Sequence, residues 1–216
     1  MKGPARLRRP SFFCSMKQQP VRKDFDHAFF ARFYDDASTS VISEDDVFRR
    51  TCFVLTYLSH LQVPVHRVLD AGCGTGLWKR ALRRIDRAIE YTGVDPSEYM
   101  CRKHGWIQSS VADFKSRRKF DLVVCQDVMQ YMSNDEAERS IDAIAAVCRG
   151  AFYFDVPTRD DIDDGYLDMR KTDRNIHVRS AAWYRQRLKK HFVNAGGGVF
   201  VSARSRAIVL ALERGR

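Results

Sequence analysis

Three glycines at alternate positions, Gly72, Gly74 and Gly76, follow an apolar strand-forming run, Val65 to Leu69, closed by the acid Asp70. A glycine loop takes backbone angles that a Cβ forbids, and it lets a ligand lie against bare main chain. Nineteen residues after Gly76, a second apolar run, Ile89 to Val94, ends in Asp95. A carboxylate closing the second strand at about that distance accepts hydrogen bonds from both hydroxyls of a ribose. The chemistry these residues suit is therefore the holding of a nucleoside. Leu77 narrows it further, because a dinucleotide fingerprint needs Gly or Ala there so that the first helix can press on the strand. Taken alone, the glycines read equally as a structural turn.

The elements that must position these groups follow from periodicity. Phe25, Phe29 and Phe33, with Phe30 beside them, give a first helix an aromatic face that ends within residues 29–36. Ser43, followed by Glu44, Asp45 and Asp46, signals an N-cap, and Val47, Leu55, Leu58 and Leu61 fill a second helix. After the loop, residues 77–85 read as a helix with Leu77, Ala81 and Ile85 inward and Lys79, Arg80, Arg83 and Arg84 as a solvated face. A short third strand lies within residues 106–113, and Phe120 to Cys125 is the continuous apolar run of a central parallel strand. Ser133 and Glu136 form a capping box for a helix with Ala137, Ile141, Ile144 and Cys148 on one face, closed by Gly150. A fifth strand, Ala151 to Val156, delivers Asp155 and Pro157 to the carboxyl edge of the sheet.

Residues 158–179 show little periodicity, and a loop of that length is functional or disordered. Its aspartates miss calcium-loop spacing, so no metal is expected. Ser180 caps a last helix with Tyr184, Leu188 and Phe192 on one face. Val199 to Ser202 and Ala207 to Leu212 read as a terminal hairpin turned at residues 203–206, with Gly196, Gly197 and Gly198 as a loop before it. Strands alternating with helices specify a doubly wound α/β sandwich with a mostly parallel sheet and one antiparallel strand near its end.

Read in order, VLDAGCGTG at residues 68–76, GVDPSEYM at 93–100, the ADF that ends at Phe114 and QDVMQYM at 126–132 resemble the motifs of class I S-adenosylmethionine-dependent methyltransferases, in their small-molecule, type 11/12-like branch. The resemblance covers roughly residues 65–156. It implies a Rossmann-like, doubly wound, mostly parallel seven-stranded sheet with a C-terminal antiparallel hairpin and two N-terminal helices. It also implies S-adenosyl-L-methionine as cofactor and methyl transfer to a small-molecule acceptor. By position, Asp70, Gly72, Cys73, Gly74 and Gly76 would form the loop that holds the cofactor, with Asp95 on the ribose and Pro96, Ser97 and Glu98 at the adenine edge. Asp113 would accept from the adenine amino group while the Phe114 amide donates to the ring, although Asp113 also reads as a turn carboxylate. Cys125 and Gln126 would converge on the same edge. Tyr34 would close over the cofactor, or serve as one more core aromatic.

For the transfer itself, Asp127, Asp155 and His177 are candidate bases, and Tyr131 is a candidate substrate-orienting hydroxyl. Asp155 as a turn cap and His177 as a loop residue are the plainer readings. Many relatives carry histidines in the fourth motif, where this chain has Gln130 and Tyr131, so no histidine base arises there. The NPPY or DPPY tetrapeptide of adenine-amino methyltransferases is absent, which argues against a DNA base as acceptor.

Composition bounds the rest. The chain has 216 residues, enough for one well-buried domain, and no run approaches a membrane span. Six scattered cysteines without a CxxC pair suggest reduced thiols and a cytoplasmic location. The net charge of +10 invites nucleic acid as a partner, but Lys2, Arg6, Arg8, Arg9, Lys17, Arg22 and Lys23 supply seven of those charges. Residues 1–23 read as a disordered basic tail, an organelle presequence, or an extension ahead of a start at Met16. Residues 24–216 read as one domain, with 157–179 as an active-site lid or insertion. Two alternatives stay open: an RNA methyltransferase tethered by the tail, and a non-catalytic module that binds S-adenosylmethionine.

Overall fold

A computed structural model describes residues 24–35, 40, 42–168 and 171–215, with Asp35 described by its backbone alone. The expected basic tail, residues 1–23, lies outside the described residues. A seven-stranded sheet runs in the order β3-β2-β1-β4-β5-β7-β6, comprising β1 Arg67–Ala71, β2 Glu90–Asp95, β3 Ile107–Gln108, β4 Phe120–Gln126, β5 Cys148–Asp155, β6 Phe192–Gly196 and β7 Val199–Ser202. Neighbours pair in parallel from β3 through β5, while β7 pairs antiparallel with both β5 and β6. The expected fold class is therefore the observed one.

The period of two along the strands divides the interior. Leu69, Val123, Cys125, Phe152 and Phe154 pack on one face with helices α5 Asn134–Val147 and α7 Ala181–Leu188. Val68, Leu122, Val124, Ala151 and Tyr153 pack on the other with α2 Glu44–His60 and α3 Leu77–Ile85. Both helix starts form as read: Ser43 caps α2, where Asp46 completes a capping box, and the Ser133–Glu136 box opens α5. A third cluster gathers Phe29, Phe30 and Met100 with Phe25, Tyr34, Trp106 and Tyr131. It joins α1 His27–Phe30 and the π-helical turn Ala31–Asp35 to α4 Glu98–His104.

Four local readings are corrected. In α3 the buried residues are Trp78, Ala81 and Leu82, and Ile85 is exposed, because Trp78 and Leu82 meet α2 and the sheet one helical step away from the expected stripe. Gly150 is not a helix terminus. The helix stops at Val147, and Gly150 sits in β5, where a Cβ would stand 2.2 Å from the Asp121 carbonyl oxygen. The terminal hairpin is β6–β7, turned by Gly196, Gly197 and Gly198, all at positive φ, so Phe192 belongs to a strand and residues 207–212 form none. Residues 158–179 hold a short helix, α6 Arg159–Asp163, opened by a Thr158–Asp161 capping box that the aspartate count obscured.

The amino ends of the central strands are tied by Asp121. Its carboxylate accepts from the His66 and Arg67 amides at 3.0 and 2.9 Å and from Arg149 Nε at 2.6 Å. Burial alone would push this carboxyl up, but those bonds hold it below its ordinary range. Gly150 lies in the same junction, so Gly150→Ala should destabilise the protein by about 1–3 kcal/mol through overpacking. A urea denaturation midpoint equal to the wild type would show that β4 and β5 can separate at no cost.

Candidate functional site

The glycine loop is clasped to the end of β2. The Gly72 and Cys73 amides both donate to the Val94 carbonyl, at 2.7 and 3.1 Å. Asp95, only 5% exposed, accepts from the Gly74 amide through Oδ2 and from the Ser97 amide through Oδ1, each at 2.8 Å. Trp106 Nε1 donates to the Gly74 carbonyl at 2.9 Å. Gly72 has φ +86, and a Cβ there would lie 2.3 Å from Val128 Cγ2, so the loop must stay bare to pass the chain leaving β4. Gly74, at φ +46, would instead set its Cβ 3.4 Å from Phe30, an ordinary contact distance.

Three cavities meet at the carboxyl ends of β1, β2 and β4, where a doubly wound sheet binds its ligands. The first, about 300 Å³, runs from Gly72, Gly74, Asp95 and Pro96 past Val111 to Met132, roofed by Phe25, Phe29 and Phe30. The second, about 40 Å³, lies among Asp70, Gly72, Cys73 and Gln126. The third, about 710 Å³, is bounded by α2, the end of β5 and residues within 157–167 and 172–176. Tyr34 and Asp127 line all three, and Phe29 and Tyr131 line the first and third.

The site is built on two buried carboxylates, Asp70 and Asp95, and the half-buried Asp127. Burial pushes Asp70 up to about 7, opposed by the Tyr91 hydroxyl, which donates to Oδ2 at 2.6 Å. Burial pushes Asp127 up to about 6, helped by Asp155 and opposed by Gln126 and Arg50. Asp95 is also raised by burial, against its two backbone donors. Tyr34 is raised by burial and then by Asp127, Asp95 and Asp70, which places its ring among all three acids. Asp155 is ion-paired with Arg50. Gln126 accepts from Trp78 Nε1 at 2.9 Å and donates to Asp127 at 3.2 Å.

The structure therefore brings together Tyr34, Asp70, Gly72, Cys73, Gly74, Asp95, Pro96, Gln126, Asp127, Tyr131 and Asp155. Other expected residues stand apart. Gly76 is the N-cap of α3, with Trp106 beside it. Ser97 is behind the cavity wall, where it caps α4 and its hydroxyl donates to the Phe25 carbonyl at 2.5 Å, pinning the aromatic roof. Asp113 is exposed and bonded to Ser110 and Arg139, while Phe114 packs against the core. The cavity wall three residues earlier is Ser110 and Val111. β3 spans only two residues and leaves no length from which to count to the wall. Cys125 is fully buried on the far face of β4. The His177 amide donates to the Gln130 carbonyl at 2.7 Å, but His177 lines none of the three cavities, and burial and then Arg179 lower its imidazole. Arg50 and Tyr153 also line the large cavity, with no signal in the sequence beyond membership of a helix and a strand, and Gln130, noted only as replacing a histidine of the fourth motif, lines it too. Among the described residues no cluster of His, Cys, Asp and Glu is arranged to hold a metal, and no helix is long and apolar enough to cross a membrane.

A family described as "Methyltransferase domain" matches residues 44–205. No curated protein matches the chain. Among solved structures, DesVI of Streptomyces venezuelae superposes with TM-score 0.56 at 16% identity, over 73% of this chain and 91% of its own. The magnesium protoporphyrin IX methyltransferase of Synechocystis PCC 6803, with bound SAM, gives 0.51 at 17%, over 72% and 79%. A S-adenosylmethionine-dependent methyltransferase of Clostridium acetobutylicum gives 0.49 at 21%, over 61% of this chain; the match spans only 57% of that enzyme's length. At such identities the likeness is one of fold.

The raised carboxyls carry a pH signature. A carboxyl whose folded pKa exceeds its unfolded value of about 3.9 binds more protons folded than unfolded, so its contribution to stability falls as pH rises between the two. For Asp70 that window runs from the unfolded value up to about 7. The unliganded protein should therefore be more stable at pH 5 than at pH 7.5. Asp70→Asn, which can still accept from Tyr91, should shrink the difference. Equal pH dependence in the two proteins, read from urea midpoints, would contradict the assignment.

Proposed function

The chain belongs to the methyltransferase-domain family, and on that premise we propose that it binds S-adenosylmethionine around the glycine loop and methylates a small molecule in the 710 Å³ cavity. The observation that carries this reading is the shared wall. Phe29, Tyr34, Asp127 and Tyr131 line both the loop-side cavity and the large one, so two ligands occupying them would meet there.

The residues present fit the cofactor. Gly72 and Gly74 leave bare main chain, Asp95 has lone pairs left for a ribose diol, and Pro96, Val111 and Met132 offer apolar walls to a base. Asp70 and Cys73 bound the small cavity where an amino-acid tail would sit. Two buried carboxylates and the half-buried Asp127 also favour a ligand bearing positive charge. When bound, the sulfonium supplies an activated methyl group with a thioether as leaving group.

The chain's own part is then mostly positional. Holding an acceptor in line and close is worth up to about 7–11 kcal/mol in effective molarity. The aromatic roof of Phe25, Phe29 and Phe30 excludes water, and Tyr34 closes the junction. Asp127 is the proton acceptor of choice, because Asp155 is engaged by Arg50 and His177 lies elsewhere. Tyr131, whose hydroxyl bonds Asp173, orients the acceptor. Residues 157–179 act as a lid. Their ends are pinned by a Thr158–Arg179 bridge, with the Arg159 amide donating to the Arg179 carbonyl at 2.8 Å, and their interior residues Asp161, Tyr166 and Asp173 face the cavity.

Calorimetry should show binding of S-adenosylmethionine and none of NAD. Gly74→Ala should weaken the former at least tenfold while costing about 1–2 kcal/mol of stability for the left-handed backbone alone. Saturable NAD binding without response to S-adenosylmethionine would overturn the reading. Turnover that requires RNA together with residues 1–23 would overturn its small-molecule part.

A further inference from the structure

We propose that the methyl acceptor is an amine that enters the large cavity as its ammonium ion, with Asp127 and Gln130 as its polar partners and Asp127 as the acceptor of its proton. The inference rests on the methyl-transfer reading and narrows it to a substrate class.

The cavity's charge is the first ground. Its lining carries five carboxylates, Asp46, Asp127, Asp155, Asp161 and Asp173, against two guanidiniums, Arg49 and Arg50, in a chain whose net charge is +10. Both guanidiniums are taken, Arg49 by Asp46 and Arg50 by Asp155, so an anionic acceptor meets no free cation among the lining residues described. Most of the acids are also committed. Asp161 completes a capping box with Thr158, and Asp173 holds Tyr131 and the Asn175 amide. Asp127 is different. It lies half-buried at the junction of the cavities, and among the described residues its only side-chain hydrogen bond is the 3.2 Å contact from Gln126.

The second ground is an orphaned acceptor. Gln130 lines the same cavity, is 5% exposed, and its Oε1 has no hydrogen-bond partner among the described residues. A buried amide oxygen without a donor costs free energy that a ligand N–H would recover. The aromatic faces of Phe29, Tyr34, Tyr131 and Tyr153 complete the lining, and such faces attract ammonium ions. The proton step balances within these residues. An N–H bond of the ammonium breaks, its proton forms an O–H bond on Asp127, and the electron pair stays on nitrogen as the lone pair a methyl acceptor needs. The raised proton affinity of Asp127 suits that role. A carboxylate is too weak a base to ionise an alcohol.

The groups facing Asp127 are Asp155 and Tyr153 from β5, Arg50 from α2, Tyr34, Tyr131 and Cys125. Tyr34, Tyr131, Tyr153 and Cys125 are all held neutral by burial, so the pH-dependent partner nearest the ammonium is Asp127 itself. Asp70, across the small cavity, titrates close by, and a variant of Asp127 separates the two.

The test is calorimetric titration of the full chain saturated with S-adenosylhomocysteine. Two matched sets serve as probes: 2-phenylethylamine, 2-phenylethanol and 3-phenylpropanoate, then tryptamine, tryptophol and indole-3-propanoate. In at least one set the amine should bind at least about tenfold tighter than its alcohol and its acid, the scale of one desolvated charge-assisted contact. Amine affinity should rise from pH 5 to pH 7 as Asp127 ionises. Asp127→Asn is compatible with left-handed backbone, and it should abolish that rise and cut the preference to within about threefold. Gln130→Met should weaken the amine without weakening the alcohol. Alcohols or acids binding as tightly as amines, or no amine binding while S-adenosylhomocysteine binds, would overturn the inference. Failure of S-adenosylhomocysteine to bind would overturn the methyl-transfer reading instead.

Discussion

Two buried carboxylates, Asp70 and Asp95, and the half-buried Asp127, gathered in one cavity system, are the constraint around which this fold is arranged. Each comes from the carboxyl end of a neighbouring strand, because a parallel sheet delivers the ends of β1, β2 and β4 to one crevice. Removing a carboxylate from water costs several kcal/mol even after relaxation. The protein offsets that cost thinly: one tyrosine hydroxyl for Asp70, two backbone amides for Asp95, and one long amide contact for Asp127. Mutual repulsion adds to the burden, and Asp95 raises Asp70 further. An arrangement this poorly compensated in the free protein becomes favourable once a cation enters, which links the electrostatics to a sulfonium-bearing cofactor.

Holding those acids in place falls to two networks at opposite ends of the sheet. At the amino ends Asp121 clamps β1, β4 and β5. At the carboxyl ends Arg179, 6% exposed, donates to the Met129 and Met132 carbonyls, to Asn134 and to the Tyr184 hydroxyl. Its guanidinium also lies 4.9 Å from the Trp183 ring centre. A buried arginine spread over neutral acceptors fixes the course of the chain from β4 to α5, and with it Val128 against Gly72 and Tyr131 against the roof. The same residue pairs with Thr158, so the segment over the large cavity and the turn beneath it share one anchor.

What was legible in the sequence was local. Glycines that need positive φ, capping residues and apolar runs closed by an acid each depend on residues a few positions apart, and they placed the loop, the strand end at Asp95 and the starts of α2 and α5. What was illegible depended on distance or on counting. Arg50 and Asp155 form their pair across 105 positions, and no spacing rule connects them. Gly150 looked like a helix stop because composition cannot distinguish a residue that ends a helix from one excluded by the Asp121 carbonyl. The glycines at 196–198 were read as a loop ahead of a hairpin when they were its turn, since three consecutive left-handed residues are unusual within so short a connection. Position in the motif points to Asp113, whereas the cavity wall of Ser110 and Val111 is set by where the two-residue β3 ends.

Backbone strain separates the two non-glycine residues that adopt positive φ among those described, Gln62 and Asp127. Gln62, at φ 59, follows the last turn of α2, with its amide bonded to the Ser59 carbonyl and the Val63 amide to the Leu58 carbonyl. That is the ordinary left-handed stop of a helix, and it needs no further cause. Asp127, at φ 56, follows a strand, and no helix termination accounts for it. Left-handed backbone costs an L-residue about 1–2 kcal/mol, least for Asp and Asn. Glycine would relieve that cost but would remove the carboxylate. Backbone strain and a half-buried, scarcely bonded acid are thus borne by one residue, at the point where all three cavities meet. Two independent penalties at one position argue that the carboxylate's location, and not the turn, is what the chain preserves.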